Sequence, residues 1–409
     1  MEQWKRNLLL LWIASFFFMA SMSMIIPFLP LYVQELGVDD PVAVTRWAGV
    51  IFGANFLSAF LFAPIWGTLG DRFGRKLMVL RSGFGMAITI TLMGFAATPV
   101  QLLILRFLNG MISGFIPAAT SLMAVSAPKE KAGQALGILQ SGHVAGTIMG
   151  PFIGGLLAEW IGFREIFHYT GIVILLMTLL VWIGVKEHFE KPTEKQKKAM
   201  KGAFSTIIRR QPLLPLFAVG FMIQFAVMST QPLLSLFVQE VHRTAEYVAF
   251  FAGLVSAVTG FANMIAAPYL GRLGDRQGTQ YVLFYSLLGA AVFSVPQAFV
   301  QSIGALLLAR FLFGLCIGGL LPSVNALIRK FAPSGQESTT FGYGNSALFL
   351  GNMLGPMLGG VLAGYIGIRG VFLLGAVLLA VTTVWVKYVF ERRVDEEHRL
   401  RLRKNLLPR

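Results

Sequence analysis

The stretch GTLGDRFGRK, residues 67–76, places Asp71, Arg72, Arg75 and Lys76 between two long apolar runs. FGANFLSAFLFAPIW precedes it and LMVLRSGFGMAITITLMGF follows it. A shorter version, GRLGDRQG, returns at residues 271–278. Apolar runs of this length can cross a membrane as helices, so we predict that the charged stretch is a turn at the membrane surface.

The composition indicates a membrane protein along the whole chain. Of its 409 residues, 56% are hydrophobic and 13% are charged, whereas about 25% of the residues in a soluble domain are charged. Further apolar stretches are each long enough to span the hydrocarbon core of a bilayer. We number the predicted helices 1 to 12, at approximately 8–33, 46–69, 77–97, 100–126, 133–158, 165–185, 213–239, 247–270, 281–300, 303–328, 339–364 and 370–390. The first run is too long for the core of a signal peptide and more spans follow it, so we expect it to be retained.

The basic residues predict the orientation of the chain. The net charge is +15, and most of the 34 Lys and Arg residues lie in segments on one side of a twelve-helix bundle. These segments are the N-terminus and the regions 72–81, 129–131, 186–210, 272–330 and 387–409. Because cytoplasmic loops are enriched in Lys and Arg, we predict a multi-pass protein of the cell membrane with both termini in the cytoplasm. The basic segments would then contact anionic lipid headgroups, and no nucleic-acid partner is implied.

The second half of the sequence repeats the first. PLYVQEL at 30–36 returns as SLFVQEV at 235–241, RFLNG at 106–110 as RFLFG at 310–314, and GPFIGG at 150–155 as GPMLGG at 355–360. The matches keep their order at a constant displacement of about 200 residues, which indicates a duplicated unit of six helices. We therefore predict an N-terminal bundle at 1–185, a cytoplasmic linker at 186–212, a C-terminal bundle at 213–390 and a basic tail at 391–409.

Two parallel six-helix repeats resemble the fold of the major facilitator superfamily. The hallmark of that family, G-x-L-x-D-R-x-G-R-K between helices 2 and 3, is matched by Gly67, Asp71, Arg72, Gly74, Arg75 and Lys76. GTIMGPFIGG in helix 5 is similar to the Gly-Pro motif of the drug:proton antiporter branch, and Arg106 matches the buried arginine of that branch. Over essentially its full length the chain resembles the twelve-helix multidrug exporters of Gram-positive bacteria. The resemblance implies an all-α polytopic transporter with twelve transmembrane helices.

The charged turn has two interpretations. Its glycines allow a sharp turn and a close approach of backbones. The resemblance implies that Asp71 accepts hydrogen bonds from a neighbouring helix in one conformation only, which would bias the conformational equilibrium. A tight turn that carries a topology signal is the alternative. The same two interpretations apply to Asp275 in the second copy, which lacks the following Arg–Lys pair.

Glycines recur every four residues on helices 5 and 11. The two stripes are Gly142, Gly146, Gly150 and Gly154 beside Pro151, and Gly351, Gly355 and Gly359 beside Pro356. Close helix packing in lipid is sufficient to explain such stripes. The family resemblance favours a further role, in which helices 5 and 11 slide or bend where the two halves meet.

A stripe of side chains on helices 1 and 7 predicts the substrate cavity. Phe16, Met19, Ser23 and Ile26 share a face of helix 1, and their repeat partners on helix 7 are Phe221, Gln224, Met228 and Gln231. Methionine and aromatic side chains are adaptable surfaces for varied apolar ligands. The alternative is that these residues fill a helix interface.

The charged residues within the spans predict the coupling groups. Arg106 and Arg310 are predicted to face a polar cavity and to have a functional role, because a charge inside a span costs at least ~2.5 kcal/mol; Arg106 could instead snorkel. No Asp or Glu is predicted near the middle of a span. The nearest titratable groups are Glu35 and Glu240 near the outer ends of helices 1 and 7, and Glu165 and His168 at the outer start of helix 6. Of these, Glu35 and Glu240, together with His143 inside helix 5, are the candidate proton carriers. His143 could equally be a hydrogen-bonded core residue.

The sequence favours one function among three classes. We predict proton-coupled export of hydrophobic or amphipathic small molecules by a monomer, with the proton gradient as the energy source and no cofactor. A carrier for a specific metabolite, sugar or peptide is the alternative. An enzyme is not expected, because the sequence contains no H-E-x-x-H, G-x-S-x-G or G-K-[ST] motif. No metal site is expected either, since the single cysteine, Cys316, lies in an apolar run.

Overall fold

The computed structural model describes residues 2–128, 131–187, 213–242, 246–333 and 337–406, and only the backbone at Asp71, 337–339 and 389–406. Every secondary-structure element in these ranges is helical, which confirms the predicted all-α fold. Within the described ranges, eleven helical stretches are long and apolar enough to cross a membrane, and the last of them, Thr340–Tyr388, contains both helix 11 and helix 12.

The two halves have matching helix boundaries. In the first half, helix 1 comprises Gln3–Met24 and Leu29–Glu35, helix 2 Pro41–Phe73, helix 3 Arg75–Met93, helix 4 Pro99–Ile112 and Phe115–Ser126, helix 5 Ala132–Ile161, and helix 6 Phe163–Gly184. In the second half, helix 7 comprises Leu213–Thr230 and Leu234–His242, helix 8 Val248–Gln277, helix 9 Thr279–Gln297, and helix 10 Ile303–Ile317 and Leu320–Phe331. Helices 11 and 12 form the stretch Glu337–Leu406, which is interrupted at Gly367.

Single glycines connect four pairs of consecutive helices. Gly74 joins helices 2 and 3, Gly162 joins 5 and 6, Gly278 joins 8 and 9, and Gly367 joins 11 and 12. Their φ angles are 100°, 84°, 107° and 72°, a region that glycine adopts without the steric cost of a Cβ atom. The sharp turn expected at Gly74 is confirmed, and the same device recurs at the equivalent place in each repeat.

Helices 1, 4, 7 and 10 are each interrupted, helices 4 and 10 near the middle and helices 1 and 7 closer to their C-terminal ends. Helices 1 and 7 contain one 3₁₀ turn each, Ile26–Phe28 and Gln231–Leu233, with a proline near its start. Proline lacks a backbone donor and so interrupts the helical hydrogen bonds. Helix 4 breaks at Gly114, where φ is 130°, and helix 10 breaks between Ile317 and Leu320. Discontinuous helices are typical of the substrate region of transporters.

Equivalent aromatic pairs support the duplication. Tyr32 of helix 1 contacts Phe167 of helix 6, with ring centroids 4.9 Å apart. The repeat partner of Tyr32, Phe237 of helix 7, contacts Phe372 of helix 12 at 5.0 Å. In the core of the first half, Phe18 of helix 1 also stacks on Phe115 of helix 4 at 4.1 Å. Such close van der Waals contacts hold helices together in lipid, where apolar side chains gain little from leaving the solvent.

The beginning of the predicted linker belongs to the first half. The side-chain amide of Asn7 donates to the carbonyl oxygen of Lys186 at 2.7 Å, and the backbone N–H of Lys186 donates back to Asn7 at 3.2 Å. The linker residues 188–212 lie outside the described residues. The backbone of helix 12 continues to Leu406, but the side chains of the predicted basic tail also lie outside them.

Candidate functional site

The two halves meet through bare backbone at helices 5 and 8. A Cβ atom added at Gly155 would collide with the carbonyl oxygen of Ala249, and one added at Gly253 would collide with the carbonyl oxygen of Pro151. These contacts lie on the side of the bundle opposite the N-terminus, which we call the far side. Glycine is required here because any side chain would separate the two helices.

Helices 2 and 11 form a second contact between the halves, which is related to the first by the repeat. A Cβ atom at Gly49 would collide with the carbonyl oxygen of Pro356, and one at Gly360 with the carbonyl oxygen of Thr45. Near the pseudo-twofold axis, Gln34 donates a long hydrogen bond of 3.5 Å to its repeat partner Gln239. The far side of the bundle is therefore closed by matched contacts on both flanks.

A carboxylate from one half caps a helix of the other half. An oxygen of Glu159, at the far end of helix 5, accepts hydrogen bonds from the backbone N–H groups of Ala249 at 2.9 Å and Phe250 at 3.3 Å. These groups belong to the first turn of helix 8, where N–H groups have no partner within the helix. Helix 8 has no side-chain cap of its own at Tyr247, which has a left-handed backbone conformation with φ of 59°. Negative charge is favourable at this end of the helix dipole.

The predicted glycine stripes mainly pack within each half. Gly146 and Gly150 of helix 5 face helix 1, where added Cβ atoms would meet the backbone of Phe16 and Ala20. Gly355 of helix 11 faces Phe225 of helix 7 in the same way. The halves themselves meet on the neighbouring face, at Pro151, Gly155 and their equivalents.

The predicted cavity stripe is only partly accessible. Ser23 is 3% exposed, and its hydroxyl donates to the carbonyl oxygen of Met19 at 2.7 Å and lies 3.3 Å from that of Gly146. Gln224 donates to Asn352 of helix 11 at 2.9 Å. The remaining predicted members are half-buried, namely Phe16, Met19, Ile26, Phe221, Met228 and Gln231. These residues therefore lie at or beside the contacts of helices 1 and 7 with helices 5 and 11.

The two mid-span arginines are buried rather than open to a polar cavity, which corrects our expectation for this conformation. Arg106 is 4% exposed and Arg310 is 2% exposed. In each guanidinium, Nε and Nη2 have no hydrogen-bond partner among the described residues. The Arg310 guanidinium lies 5.2 Å from the ring centroid of Phe372, so part of its charge is stabilised by a cation–π contact.

The predicted peripheral carboxylates form a matched set of ion pairs. Glu35 lies 3.4 Å from Arg164, and its repeat partner Glu240 lies 2.9 Å from Arg369. Arg369 also donates to the carbonyl oxygen of Ala298 at 2.8 Å. All these contacts are on the far side and stay within one half.

The candidate histidine is buried in helix 5. His143 is 4% exposed, and its Nδ1 lies 3.1 Å from the side-chain oxygen of Gln140. Its Nε2 has no hydrogen-bond partner among the described residues. One ring nitrogen is thus engaged by its own helix, and the other remains a buried polar atom without a described partner.

The charged turn at 67–76 is anchored to the end of helix 6. The carboxylate of Glu187 accepts hydrogen bonds from the backbone N–H groups of Arg75 at 2.9 Å and Lys76 at 2.8 Å, which caps helix 3. The Arg75 side chain donates to Ser121 of helix 4 at 2.7 Å. No described residue lies within 4 Å of a Cβ atom added at Gly67, so the described part of the chain shows no close backbone approach there in this conformation.

The remaining residues of the motif are peripheral or fall outside the description. The side chain of Asp71 lies outside the described residues, so its predicted latch stays a prediction. Arg72 and Asp275 are exposed. The sequence pattern grouped Arg81 with the cytoplasmic basic cluster, and the structure corrects this: Arg81 lies within helix 3, half-buried, with its guanidinium over the ring of Trp66.

Three functional candidates were not predicted from the sequence. Glu159 and Glu187 each cap a helix that is distant in the sequence, and only the fold reveals their targets. Arg81 and its partner Trp66 belong to different helices, on either side of the charged turn. The one available signal was that Arg81 falls inside the predicted apolar span of helix 3.

Comparisons with known proteins agree with this architecture. The model of the Major Facilitator Superfamily matches residues 11–260 and 247–408. The uncharacterized MFS-type transporter YuxJ of Bacillus subtilis is 41% identical over 90% of this chain and 94% of its own length. The multidrug resistance protein MdtG of Salmonella arizonae is 38% identical over 95% of this chain and 96% of its own length.

Solved structures share the fold at low sequence identity. A bacterial homologue of the human lysosomal transporter Spinster, in an inward-facing and occupied conformation, matches with a TM-score of 0.78 and 16% identity, covering 96% of this chain and 97% of that one. The nucleoside transporter NupG matches with a TM-score of 0.78 and 14% identity, covering 94% of this chain and 99% of that one. At these identities the likeness concerns the fold alone. From the family match and the relatives together, the chain belongs to the Major Facilitator Superfamily and is a membrane transporter rather than an enzyme.

Proposed function

We propose that this transporter is a proton-coupled antiporter that exports hydrophobic drugs or other amphipathic compounds by alternating access. The observation that carries the proposal is the one-sided contact between the halves. Glycine–carbonyl contacts close the far side. Towards the N-terminal side of the same four helices, a Cβ atom added at Gly67, Gly137, Gly271 or Gly342 would meet no described residue within 4 Å. This arrangement is what a carrier would have in one of its two alternating states.

The basic segments support an orientation for this state. With the N-terminal side in the cytoplasm of a cell membrane, the conformation is open to the cytoplasm and closed to the outside. The basic loops and both termini then face anionic lipid headgroups. The relatives named multidrug resistance protein MdtG support drugs as the substrate class. We expect the transporter to work as a monomer without a cofactor.

The proposed coupling uses charged groups at two depths. Glu35 and Glu240 lie on the far side, each exposed and beside an arginine of its own half, where they are in contact with the outside solution and its protons. Protonation would neutralise the carboxylate and weaken its ion pair. Arg106 and His143 lie deeper, and each has a buried nitrogen without a described partner. A change in conformation that offers His143 a partner would alter the protonation of its ring. One that offers Arg106 a partner would alter the electrostatic field around the guanidinium.

Everted membrane vesicles test the proposed function. A pH gradient, acid inside, is imposed on the vesicles in the absence of ATP. The neutral dye N-phenyl-1-naphthylamine is then added outside as the substrate. We expect dye accumulation that is abolished when an ionophore collapses the gradient, and no accumulation in vesicles without the protein. Accumulation that persists without the gradient, or that requires ATP, would contradict proton coupling.

The same vesicles test the alternative, a carrier for a specific metabolite. Unlabelled nucleosides, sugars and dipeptides are added in excess over the dye. We expect hydrophobic compounds to compete with the dye and these metabolites to have no effect. Competition by a single polar metabolite, with no competition by hydrophobic compounds, would favour the metabolite carrier.

A further inference from the structure

A cavity of about 390 Å³ lies between helices 2, 3 and 4 of the first half on the N-terminal side, and Phe349 of helix 11 in the second half completes its lining. It lies away from the glycine contacts that close the far side. Residues from four helices line it, among them Trp66, Arg75, Met78, Arg81, Ser121 and Phe349. No carboxylate is found among the described residues of this lining. The described lining is therefore mainly apolar, and it includes the guanidinium of Arg81.

The arginine in this cavity is held in place by aromatic and backbone groups. The Arg81 guanidinium lies 3.5 Å from the ring centroid of Trp66, and its Nη2 donates to the carbonyl oxygen of Ser113 at 3.1 Å. Its Nε and Nη1 have no hydrogen-bond partner among the described residues. The Trp66 ring is itself fixed, because its Nε1 donates to the carbonyl oxygen of Met111 at 2.7 Å. A fixed cation without a paired anion is a site that a negatively charged group can satisfy.

The duplicated half provides an internal control. A cavity of about 370 Å³ lies at the equivalent place between helices 8, 9 and 10. There, Tyr285 occupies the position of Arg81 and Leu270 the position of Trp66, and no basic residue is found among the described residues that line this cavity. The same helix packing forms a cavity of similar size without the cation. The Arg81–Trp66 pair is consequently not a requirement of the fold.

We propose that the cavity between helices 2, 3 and 4 binds a small amphipathic anion. A sulfonate, carboxylate or phosphate group contacts Arg81, and the apolar body lies along Trp66, Met78 and Phe349. The position of Arg81 within helix 3, beyond the first turn, suits a ligand that enters from the membrane with its charged group near the surface. The site does not rest on the proposed transport function, since binding requires no gradient and no change of state.

Two dyes that differ in charge test the site. The purified full-length protein, in nanodiscs of phosphatidylcholine, is titrated with 1-anilinonaphthalene-8-sulfonate and with N-phenyl-1-naphthylamine, which lacks the sulfonate. Empty nanodiscs supply the background. We expect Arg81→Gln to weaken binding of the sulfonate by about tenfold or more and to leave binding of the neutral dye unchanged, since a charge-assisted hydrogen bond is lost. Arg81→Lys should retain most of the sulfonate binding, and Tyr285→Phe in the second cavity is the matched control.

A second variant, designed to gain a binding site in the other cavity, tests the proposal even if Arg81→Gln folds poorly. Leu270→Trp combined with Tyr285→Arg, in a chain with an unchanged first cavity, should add a second equivalent of bound sulfonate. Equal sulfonate affinity in the wild-type protein and in Arg81→Gln would overturn the proposal. Equal loss of both dyes, with no second equivalent in the double variant, would also overturn it, because Arg81 would then be only structural.

A further titration in nanodiscs that contain an anionic lipid distinguishes a lipid from a soluble anion as the occupant. Part of the phosphatidylcholine is replaced by phosphatidylglycerol, and the sulfonate titration is repeated on the wild-type protein and on Arg81→Gln. Competition that depends on Arg81 would support an anionic lipid as the occupant. Unchanged sulfonate affinity would support a soluble amphipathic anion.

Discussion

Removing the charge of Glu159 should open the far side of the transporter. In the closed state this carboxylate accepts hydrogen bonds at 2.9 and 3.3 Å from the first turn of helix 8, across the boundary between the halves. A negative charge at an exposed helix N-terminus contributes about 0.3–1 kcal/mol, and Glu159 is exposed. A glutamine side chain at this position would keep an acceptor oxygen but lose the charge. We therefore expect Glu159→Gln to destabilise the closed state by about 1 kcal/mol, or about fivefold in the conformational equilibrium.

Distance measurements between the halves provide the assay. Spin labels are placed at Asp39 and Glu246, which are exposed far-side residues of the first and second half, in a Cys316→Ser background. Pulsed electron–electron double resonance in nanodiscs then measures the distance between the labels, which is short in the closed state and long in the open state. We expect the ratio of open to closed populations to rise about fivefold in Glu159→Gln.

A matched acidic residue separates the cap from a general effect of surface charge. Glu165 is also exposed on the far side, but its partner, His168 at 3.3 Å, lies on its own helix. Glu165→Gln should leave the distance distribution unchanged. An unchanged distribution in Glu159→Gln would refute the reasoning, and so would an equal shift in both variants.

The other predictions concern the contacts and charges described above. Gly253→Ala should disfavour the closed far side by about 1–3 kcal/mol, because the added methyl group meets the carbonyl oxygen of Pro151; the same spin-label distances measure this, and Gly271→Ala, on the same helix with open space around it, is the control. Asp71→Asn should express near normally and lower transport turnover more than substrate binding, so turnover at the wild-type rate would reduce Asp71 to a turn-former. Arg106→Ala should abolish gradient-driven dye accumulation in everted vesicles, and at least one neutral variant of the peripheral or histidine candidates should keep binding but lose the pH dependence of transport. The variants to compare are Glu35→Gln, Glu240→Gln and His143→Ala. A normal pH-dependent rate in all three would contradict the coupling assignment.

The fold was predictable because its signals are local and repeated. Each span is a long apolar run, and the returns of PLYVQEL, GDRFG and RFLNG reveal the duplication without any knowledge of contacts. The turn at Gly74 was also predictable, since only glycine fits a φ of 100° without strain. Periodicity could not tell which face of a glycine stripe meets which neighbour. Gly146 packs on helix 1, whereas Gly155, on an adjacent face of the same helix, meets helix 8 of the other half.

The charged residues of the site were harder to interpret from the sequence. Glu159 and Glu187 are ordinary acidic residues near helix ends, and their hydrogen-bond partners lie far away in the chain. Arg106 stood out because a charge in an apolar run is costly, but the cost alone does not show whether the side chain faces a cavity or is buried. The ion pairs of Glu35 and Glu240 depend on where helices 6 and 12 begin, which only the packed structure supplies.

The four single-glycine turns have a mechanical consequence for the membrane itself. Helices 2, 5, 8 and 11 make the close glycine contacts between the halves, and each is joined by one residue to a neighbour, helix 3, 6, 9 or 12. A connection of one residue has no slack, so tilting one helix of a pair displaces the other. A lipid-exposed helix resists such tilting according to the thickness of the surrounding bilayer. The bilayer thereby opposes or favours the tilting of the paired helices elastically. Bilayers of different thickness should therefore give different equilibria between the open and closed conformations of the same polypeptide.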